Sequence, residues 1–288
     1  MRSRFLRKVF QAFIFITLGI QLCLMLGQTG RMIWPDKPKQ PTIGTTEPDR
    51  LSPIILTTAA QSERTRAVQF IVLHSFAIPV PDMIHRLAAL NVSTHYLIDT
   101  DGRLFRLVPE DKVAWHAGRS FWRGQSRLNE TAIGVELQNA TLGQTPFTPA
   151  QIETLKHVLS DLIIRYDILP QNIVAHSDIS PERKVDVGAA FPWKALAQDG
   201  IGLYPEPVEQ LPSVYPTVPE MLADIGYDIT DPDKALLAFE RRFMPTLIPM
   251  DPDIAHLEEN LHGQSAVWPV QNPAVLNHLI AVWQVYRP

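Results

Sequence analysis

Three side chains that lie far apart in the sequence have the types that bind a divalent metal. His74 and His176 each end a short apolar run, and Asp186 lies in the loop that follows His176. Lys184 is two residues before Asp186, so in an extended segment both side chains point to the same side. Two imidazoles and one carboxylate leave a zinc ion one open coordination position, as in catalytic zinc sites. The spacing therefore predicts a centre with one Zn²⁺ ion.

These side chains can meet only if the apolar runs are strands of one sheet. Val68–Leu73 and Ile133–Gln138 have the composition of buried strands, and Asn172–His176 predicts a strand that follows a helix. That helix begins at a capping box, Thr148-Pro149-Ala150-Gln151. Asp101-Gly102 predicts the turn of a hairpin. The alternation predicts an α/β fold with a mixed central sheet flanked by helices and a site at one edge of the sheet.

Composition limits the class of protein. The chain has 288 residues and a formal net charge of -4. A nucleic-acid-binding protein would present a basic face, so nucleic acid is not the expected partner. The single cysteine, Cys23, lies in the N-terminal apolar run, which excludes a cysteine zinc finger and a cysteine nucleophile from the folded part.

Residues 1–30 predict a signal peptide or a signal anchor. Basic residues precede an uncharged stretch over residues 9–26, which is the order of a secretory signal. The stretch is long for a cleaved signal and at the lower limit for a membrane-spanning helix, so both alternatives stay open. Either would export the remainder of the chain, which predicts a periplasmic or cell-envelope protein that contacts the membrane through this segment.

Two proline-rich stretches divide the rest of the chain. Residues 31–60 predict a stalk, 61–203 a catalytic domain and 204–218 a linker. Residues 219–288 predict a small all-α domain of three helices, with one helix capped by Thr230 and another beginning at Asn272-Pro273. This tail carries no catalytic constellation, so we expect a binding or anchoring module.

Five separated motifs carry a resemblance to a known family. In order along the chain they are Phe70-Ile71-Val72-Leu73-His74, Ala114-Trp115-His116-Ala117-Gly118, Ile133-Gly134-Val135-Glu136-Leu137, His176-Ser177-Asp178-Ile179 with Lys184 and Asp186, and Phe191-Pro192-Trp193. Residues 67–193 thereby resemble the zinc-dependent N-acetylmuramoyl-L-alanine amidases, the group related to peptidoglycan recognition proteins. Agreement of several motifs in order is more specific than any one of them. The tail resembles the three-helix peptidoglycan-binding domains of some exported members.

The resemblance implies roles for five residues. It assigns His74, His176 and Asp186 as zinc ligands, and Glu136 and Lys184 as the catalytic pair. A glutamate beside the metal could take a proton from water and pass it to the leaving amine. An ammonium beside it could stabilise the oxyanion of the tetrahedral intermediate. A plain ion pair with a neighbouring carboxylate is the alternative for Lys184.

The same resemblance points to substrate contacts. Trp115 and His116 are interpreted as a wall of the substrate site, with simple packing as the alternative. Arg127 matches a position where related enzymes hold a carboxylate of the stem peptide. His95 is the strongest competitor for a ligand position, but the family's matching histidine is structural, so we expect it in the core.

The resulting hypothesis is an exported zinc hydrolase that cleaves the amide between N-acetylmuramic acid and L-alanine in peptidoglycan turnover or recycling. Its partner would be peptidoglycan or a muropeptide. One alternative is a non-catalytic peptidoglycan-binding protein. Inactive relatives typically lose a zinc ligand, whereas this chain keeps all three ligands together with Glu136 and Lys184. Another is a zinc peptidase that acts on stem peptides.

Overall fold

The computed structural model describes residues 52–56, 60–249, 259 and 262–287. These residues belong to one compact unit, Pro48–Pro288. The predicted signal or anchor and most of the predicted stalk lie outside the described residues. Within the described part of the chain, no helix combines the length and the apolar character needed to cross a membrane.

A six-stranded sheet lies at the centre of the molecule, and two small two-stranded sheets accompany it. The strands are β1 (Ile54–Ile55), β2 (Gln61–Glu63), β3 (Phe70–Phe76), β4 (Tyr96–Ile98), β5 (Leu104–Arg106), β6 (Lys112–Ala114), β7 (Phe121–Trp122), β8 (Gln125–Ser126), β9 (Ala132–Gln138) and β10 (Ile173–Ala175). The order in the large sheet is β1-β5-β4-β9-β3-β10. Strand β3 runs parallel to β9 and β10, whereas β4 and β5 form an antiparallel hairpin. The predicted mixed sheet is confirmed.

Helices pack around this sheet. They are α1 (Val80–Ala89), α2 (Pro149–Tyr166), α3 (His176–Ile179), α4 (Trp193–Gln198), α5 (Val218–Ile225), α6 (Pro232–Phe243) and α7 (Pro273–Tyr286), with 3-10 turns at Leu128–Glu130, Pro170–Asn172 and Pro245–Leu247. The predicted capping box of α2 is present, since the Thr148 hydroxyl accepts from the Gln151 amide at 3.2 Å. The cap predicted at Thr230 is wrong by one residue. The Asp231 carboxylate accepts from the Lys234 amide, while the Thr230 hydroxyl donates to Asp228.

The central strand β3 is buried on both faces, which explains its uninterrupted apolar run. Ile71 and Leu73 pack in the cluster that includes Leu155 and Leu159 of α2. Phe70 and Val72 point to the other face, because successive side chains of a strand alternate. His74, two residues beyond Val72, therefore lies on that second face.

Helices from the C-terminal part of the chain cover this second face. Val72 and Val174 share one buried cluster with Leu236 and Phe239 of α6 and with Leu279 of α7. The predicted helical tail is thus present and packs directly on the sheet. The domain boundaries themselves stay a prediction.

Candidate metal centre and active site

Strand pairing brings the predicted site residues together. In the register of β3 and β9, His74 lies directly beside Glu136. His176 is the first residue of α3 and follows Ala175, which pairs with Leu73 on the other side of β3. The expectation that His74 ends its strand is wrong, because β3 continues to Phe76. His74 therefore projects from the strand interior, where its neighbours hold it firmly.

Three ligand atoms converge at this point. His74 Nδ1 lies 2.9 Å from His176 Nδ1 and 3.5 Å from Asp186 Oδ2, and His176 Nδ1 lies 3.2 Å from that oxygen. Tetrahedral zinc with bonds of about 2.0–2.2 Å separates its ligand atoms by roughly 3.3–3.5 Å. All three residues are buried. The donor set and its spacing therefore fit one metal ion.

The electrostatics favour the ligand forms of these side chains. Burial lowers the pKa of His74 to about 4, with a further contribution from the neighbouring His176, so its imidazole is neutral at pH 7. Burial alone would raise the pKa of Asp186, but His176 and His74 hold it well below its ordinary value. Neutral imidazole and ionised carboxylate are the states that bind a metal.

The loop after β6 fixes the orientation of both histidines. His74 Nε2 lies 3.0 Å from His116 Nδ1, and His176 Nε2 lies 3.3 Å from the carbonyl oxygen of Ala117. The Asn129 side chain holds this loop by accepting the amides of His116 and Ala117 at 3.0 and 2.7 Å. Such outer contacts leave the Nδ1 atoms free for a metal, because the tautomer of a ligand histidine is set by the bond of its other nitrogen.

Two further histidine predictions can be compared with this arrangement. His116 was expected to form part of the substrate wall, and it lines the cavity over the site, while its ring also packs edge-on against His74 with centroids 5.1 Å apart. It lies over Gly134, where a Cβ atom would come within 2.6 Å of the ring. The contact of His116 with substrate stays a prediction. His95 is fully buried and its Nδ1 accepts from the Gly134 amide at 3.0 Å, which agrees with the expected core role.

Glu136 is buried beside the cluster. Among the described residues its Oε2 atom has no hydrogen-bond partner. Burial raises the pKa of Glu136 to about 8, with a contribution from the charge of Asp186 and an opposing one from Lys184. A buried carboxylate with a strongly raised pKa in a cavity is typical of a group that transfers protons.

A cavity of about 470 Å³ opens over these residues. Glu136, Lys184 and Trp115 line it together with the three ligand residues, and the Trp115 side chain is 38% exposed. Arg127 is not among the described lining residues. Its guanidinium pairs with Glu130, and its role in substrate binding stays a prediction.

Sequence reasoning missed several residues of the site. Asn129 carries no motif of its own, and only its contacts with the loop show its role. Arg86 of α1 also lines the cavity, next to the apolar side chains Met83 and Leu90. The helical period could have placed Met83, Arg86 and Leu90 on one side of the helix. The neighbouring sequence does not indicate which other element that side faces.

Fold and site together define a class of protein, the mixed α/β domains with a buried His-His-Asp cluster able to hold one metal ion. Comparison with known proteins narrows this class. The family model described as N-acetylmuramoyl-L-alanine amidase matches residues 64–189. N-acetylmuramoyl-L-alanine amidase AmiD of Escherichia coli is 39% identical over 211 residues, which cover 62% of this chain and 76% of that protein.

Solved structures agree with this result. The structure of the Escherichia coli AmiD aligns with a TM-score of 0.62 and 32% identity, over 78% of this chain and 93% of that one. AmpDh3 of Pseudomonas aeruginosa aligns with a TM-score of 0.62 and 27% identity, over 88% and 100%. The chain therefore belongs to the N-acetylmuramoyl-L-alanine amidase family, and the resemblance noted from its motifs is confirmed.

Proposed function

We propose that this protein hydrolyses the amide between the lactyl group of N-acetylmuramic acid and L-alanine, with one Zn²⁺ held by His74, His176 and Asp186. The observation that carries the proposal is the buried, unpartnered Oε2 atom of Glu136 beside this ligand cluster, in a chain of the amidase family. A zinc ion at this site would supply Lewis acidity, which polarises the amide carbonyl and makes a water molecule more acidic.

Glu136 is the proton-transfer group of the proposed reaction. The positive charge of a zinc ion held by the cluster would favour the carboxylate form of Glu136, so that this group could accept a proton from water. The same group then donates that proton to the departing nitrogen of L-alanine, which leaves as a neutral amine. Glu136 is buried and lines the cavity, so its carboxylate can reach both the water and the departing nitrogen of a substrate bound there.

Lys184 is the second catalytic group. It lies on the cavity wall near Asp186, where its ammonium can stabilise the negative charge that develops on the carbonyl oxygen. Trp115, at the mouth of the cavity, offers a flat apolar face to the sugar or the lactyl group. Arg127 remains a candidate for a peptide carboxylate, although its guanidinium now pairs with Glu130.

The relatives support a muropeptide as the substrate. The Escherichia coli AmiD structure is a complex with the substrate anhydro-N-acetylmuramic acid-L-Ala-D-γ-Glu-L-Lys. The AmpDh3 structure is a complex with anhydromuramic pentapeptide. We therefore expect this protein to accept 1,6-anhydromuramyl peptides as well as intact wall.

We also propose that the protein is exported to the cell envelope through residues 1–30. The basic residues before the apolar stretch at 9–26 support this location. Cell fractionation, with N-terminal sequencing of the purified protein, separates the two forms. A mature chain that begins beyond residue 26 indicates a cleaved signal, and an intact N-terminus in the membrane fraction indicates an anchor. Recovery of the intact chain in the cytosol would refute export.

Digestion of purified peptidoglycan and of anhydromuramyl tetrapeptide tests the reaction itself. Mass spectrometry should show free stem peptides that begin with L-alanine. The second product should be N-acetylmuramic acid with a free lactyl carboxylate, in the glycan strand for peptidoglycan and as the 1,6-anhydro sugar for the anhydromuramyl substrate. Shortened peptides would support the zinc peptidase, and binding without release would support a recognition protein. A chelator should abolish release and added Zn²⁺ should restore it, while Asp186→Ala serves as the inactive control.

A further inference from the structure

The C-terminal helices reach the metal centre through one buried ion pair. Arg242 of α6 donates from Nη1 to the Asp178 carboxylate at 2.7 Å, and both side chains are almost completely buried. Asp178 lies in α3, two residues after His176. The carboxylate also accepts the Ala175 amide at 2.8 Å and the Tyr227 hydroxyl at 3.1 Å. This ion pair therefore joins the tail to the short helix that carries a metal-ligand candidate.

The same guanidinium also holds the strand before His176. Arg242 Nη2 donates to the carbonyl oxygen of Ile173, the first residue of β10, at 3.1 Å. The guanidinium lies over the Trp193 ring, 3.9 Å from its centroid, which fixes its plane. Arg242 thus contacts the backbone on one side of His176 and the helix on the other. A planar, forked cation suits this task, because two nitrogens can bond in different directions at once.

We propose that Arg242 is a positioning residue of the metal centre, so that the C-terminal helices complete the catalytic unit in addition to any role in wall binding. This inference rests on the proposed zinc site. Without Arg242, Asp178 would keep a buried charge with fewer partners, and β10 and α3 could shift relative to each other. His176 Nδ1 would then leave its position opposite His74 and Asp186. Metal ligation tolerates little displacement, since outer contacts commonly change metal affinity by about 10–100-fold.

The test compares zinc affinity and ligand geometry in variants of the full chain. Arg242→Met combined with Asp178→Asn removes both charges, so no uncompensated buried charge threatens folding. The asparagine can still accept the Ala175 amide. We expect the zinc dissociation constant, measured by competition with a chromophoric chelator, to rise about tenfold. The visible absorption bands of the Co²⁺-substituted protein should also shift. Arg242→Lys should give an intermediate result, because lysine keeps the charge but lacks the two separate nitrogens with which arginine reaches Asp178 and Ile173.

A matched control separates positioning from general stabilisation. Arg123 also joins the tail to the rest of the molecule, since it donates to the carbonyl oxygens of Ile225 and Tyr286 at 3.2 and 2.7 Å. Neither acceptor belongs to β10 or α3, and neither bond involves Arg242 or Asp178. Arg123→Met should lower the melting temperature and leave zinc affinity and the cobalt spectrum unchanged.

Two results would overturn the inference, and a third would overturn the proposed function on which it rests; the three can be told apart. If the folded Arg242→Met, Asp178→Asn protein binds zinc within twofold of the parent and keeps its cobalt spectrum, Arg242 does not position the centre. An Arg123→Met protein with the same loss of affinity would also overturn the inference, because any tail contact would then suffice. If the parent protein itself binds no zinc, the proposed function fails instead.

Discussion

Replacing Glu136 by glutamine should raise the stability of the metal-free protein and lower the turnover of the zinc-loaded protein. The side chain is 7% exposed, and burial raises its pKa from 4.5 to about 8 in the metal-free protein. Between these values the folded protein holds a proton on Glu136 that the unfolded chain has lost. The contribution of Glu136 to the stability of the metal-free parent therefore falls as pH rises from about 4.5 to 8, by about 1.4 kcal/mol per pH unit. Glutamine carries no such proton.

At pH 7 the size of the stability difference follows from how far this pH lies above the ordinary pKa of glutamate, because the pKa in the folded protein is higher than 7. At pH 7, about 2.5 units above the ordinary pKa of glutamate, the metal-free Glu136→Gln protein should be roughly 3 kcal/mol more stable than the parent. Near pH 4.5 the two should be almost equally stable. Catalysis should change in the other direction, because an amide cannot accept the water proton. We expect turnover to fall by about 10²–10⁴-fold while the zinc content stays unchanged.

Thermal and urea unfolding of chelator-treated protein, from pH 4.5 to 8, measures the first effect. Turnover of an anhydromuramyl peptide by the zinc-loaded protein measures the second. Glu209→Gln, at an exposed position, is the matched control and should show neither effect. A stability difference between the two proteins that does not grow with pH would show that burial does not raise the pKa of Glu136 as stated. Normal turnover of Glu136→Gln would remove this residue from the mechanism.

Three other substitutions test neighbouring parts of the site. Asp186→Ala should abolish both zinc binding and activity, because two histidines alone do not complete the ligand set. Metal analysis measures the zinc content, and a variant that retains stoichiometric zinc would contradict the assignment of Asp186 as a ligand. Lys184→Met should reduce turnover by about 10²-fold at unchanged zinc content, as loss of an oxyanion-stabilising group does; unchanged turnover would indicate a bystander. Gly134→Ala should destabilise the protein by about 1–3 kcal/mol and weaken zinc binding, because the added Cβ would lie 2.6 Å from His116 and push it against His74. Denaturant unfolding measures the loss of stability, and metal titration measures the zinc affinity. A Gly134→Ala protein as stable as the parent and with the same zinc affinity would show that His116 does not orient His74.

Local sequence signals predicted the secondary structure near the site well. The capping box at Thr148 and the turn at Asp101-Gly102 were predicted from their immediate neighbours. The end of β3 was placed two residues too early, because a histidine looked like the end of an apolar run. Propensity could not reveal that His74 continues the strand, since its place depends on pairing with Glu136. Boundary errors of this kind arise when tertiary pairing overrides a local pattern.

The side chains with chemical roles were also partly recognisable. His74, His176 and Asp186 could be grouped because their types suit one metal, and the structure brings their ligand atoms within 3.5 Å of one another. His116 was assigned to the substrate wall, and the structure places it both on the cavity wall and against His74, so its role toward substrate stays a prediction. No local signal distinguishes a histidine that faces substrate from one that supports another histidine.

The sequence by itself determined the residue types, the strand and helix periods and the motif order that define this family, because these depend on neighbours within a few positions. Only the tertiary structure decided that Glu136 lies beside His74, that His116 orients it and that Arg242 reaches Asp178. The physical reason is that these contacts join residues 42 to 64 positions apart. Such distances are closed by strand order and by the packing of buried side chains, which no single segment encodes.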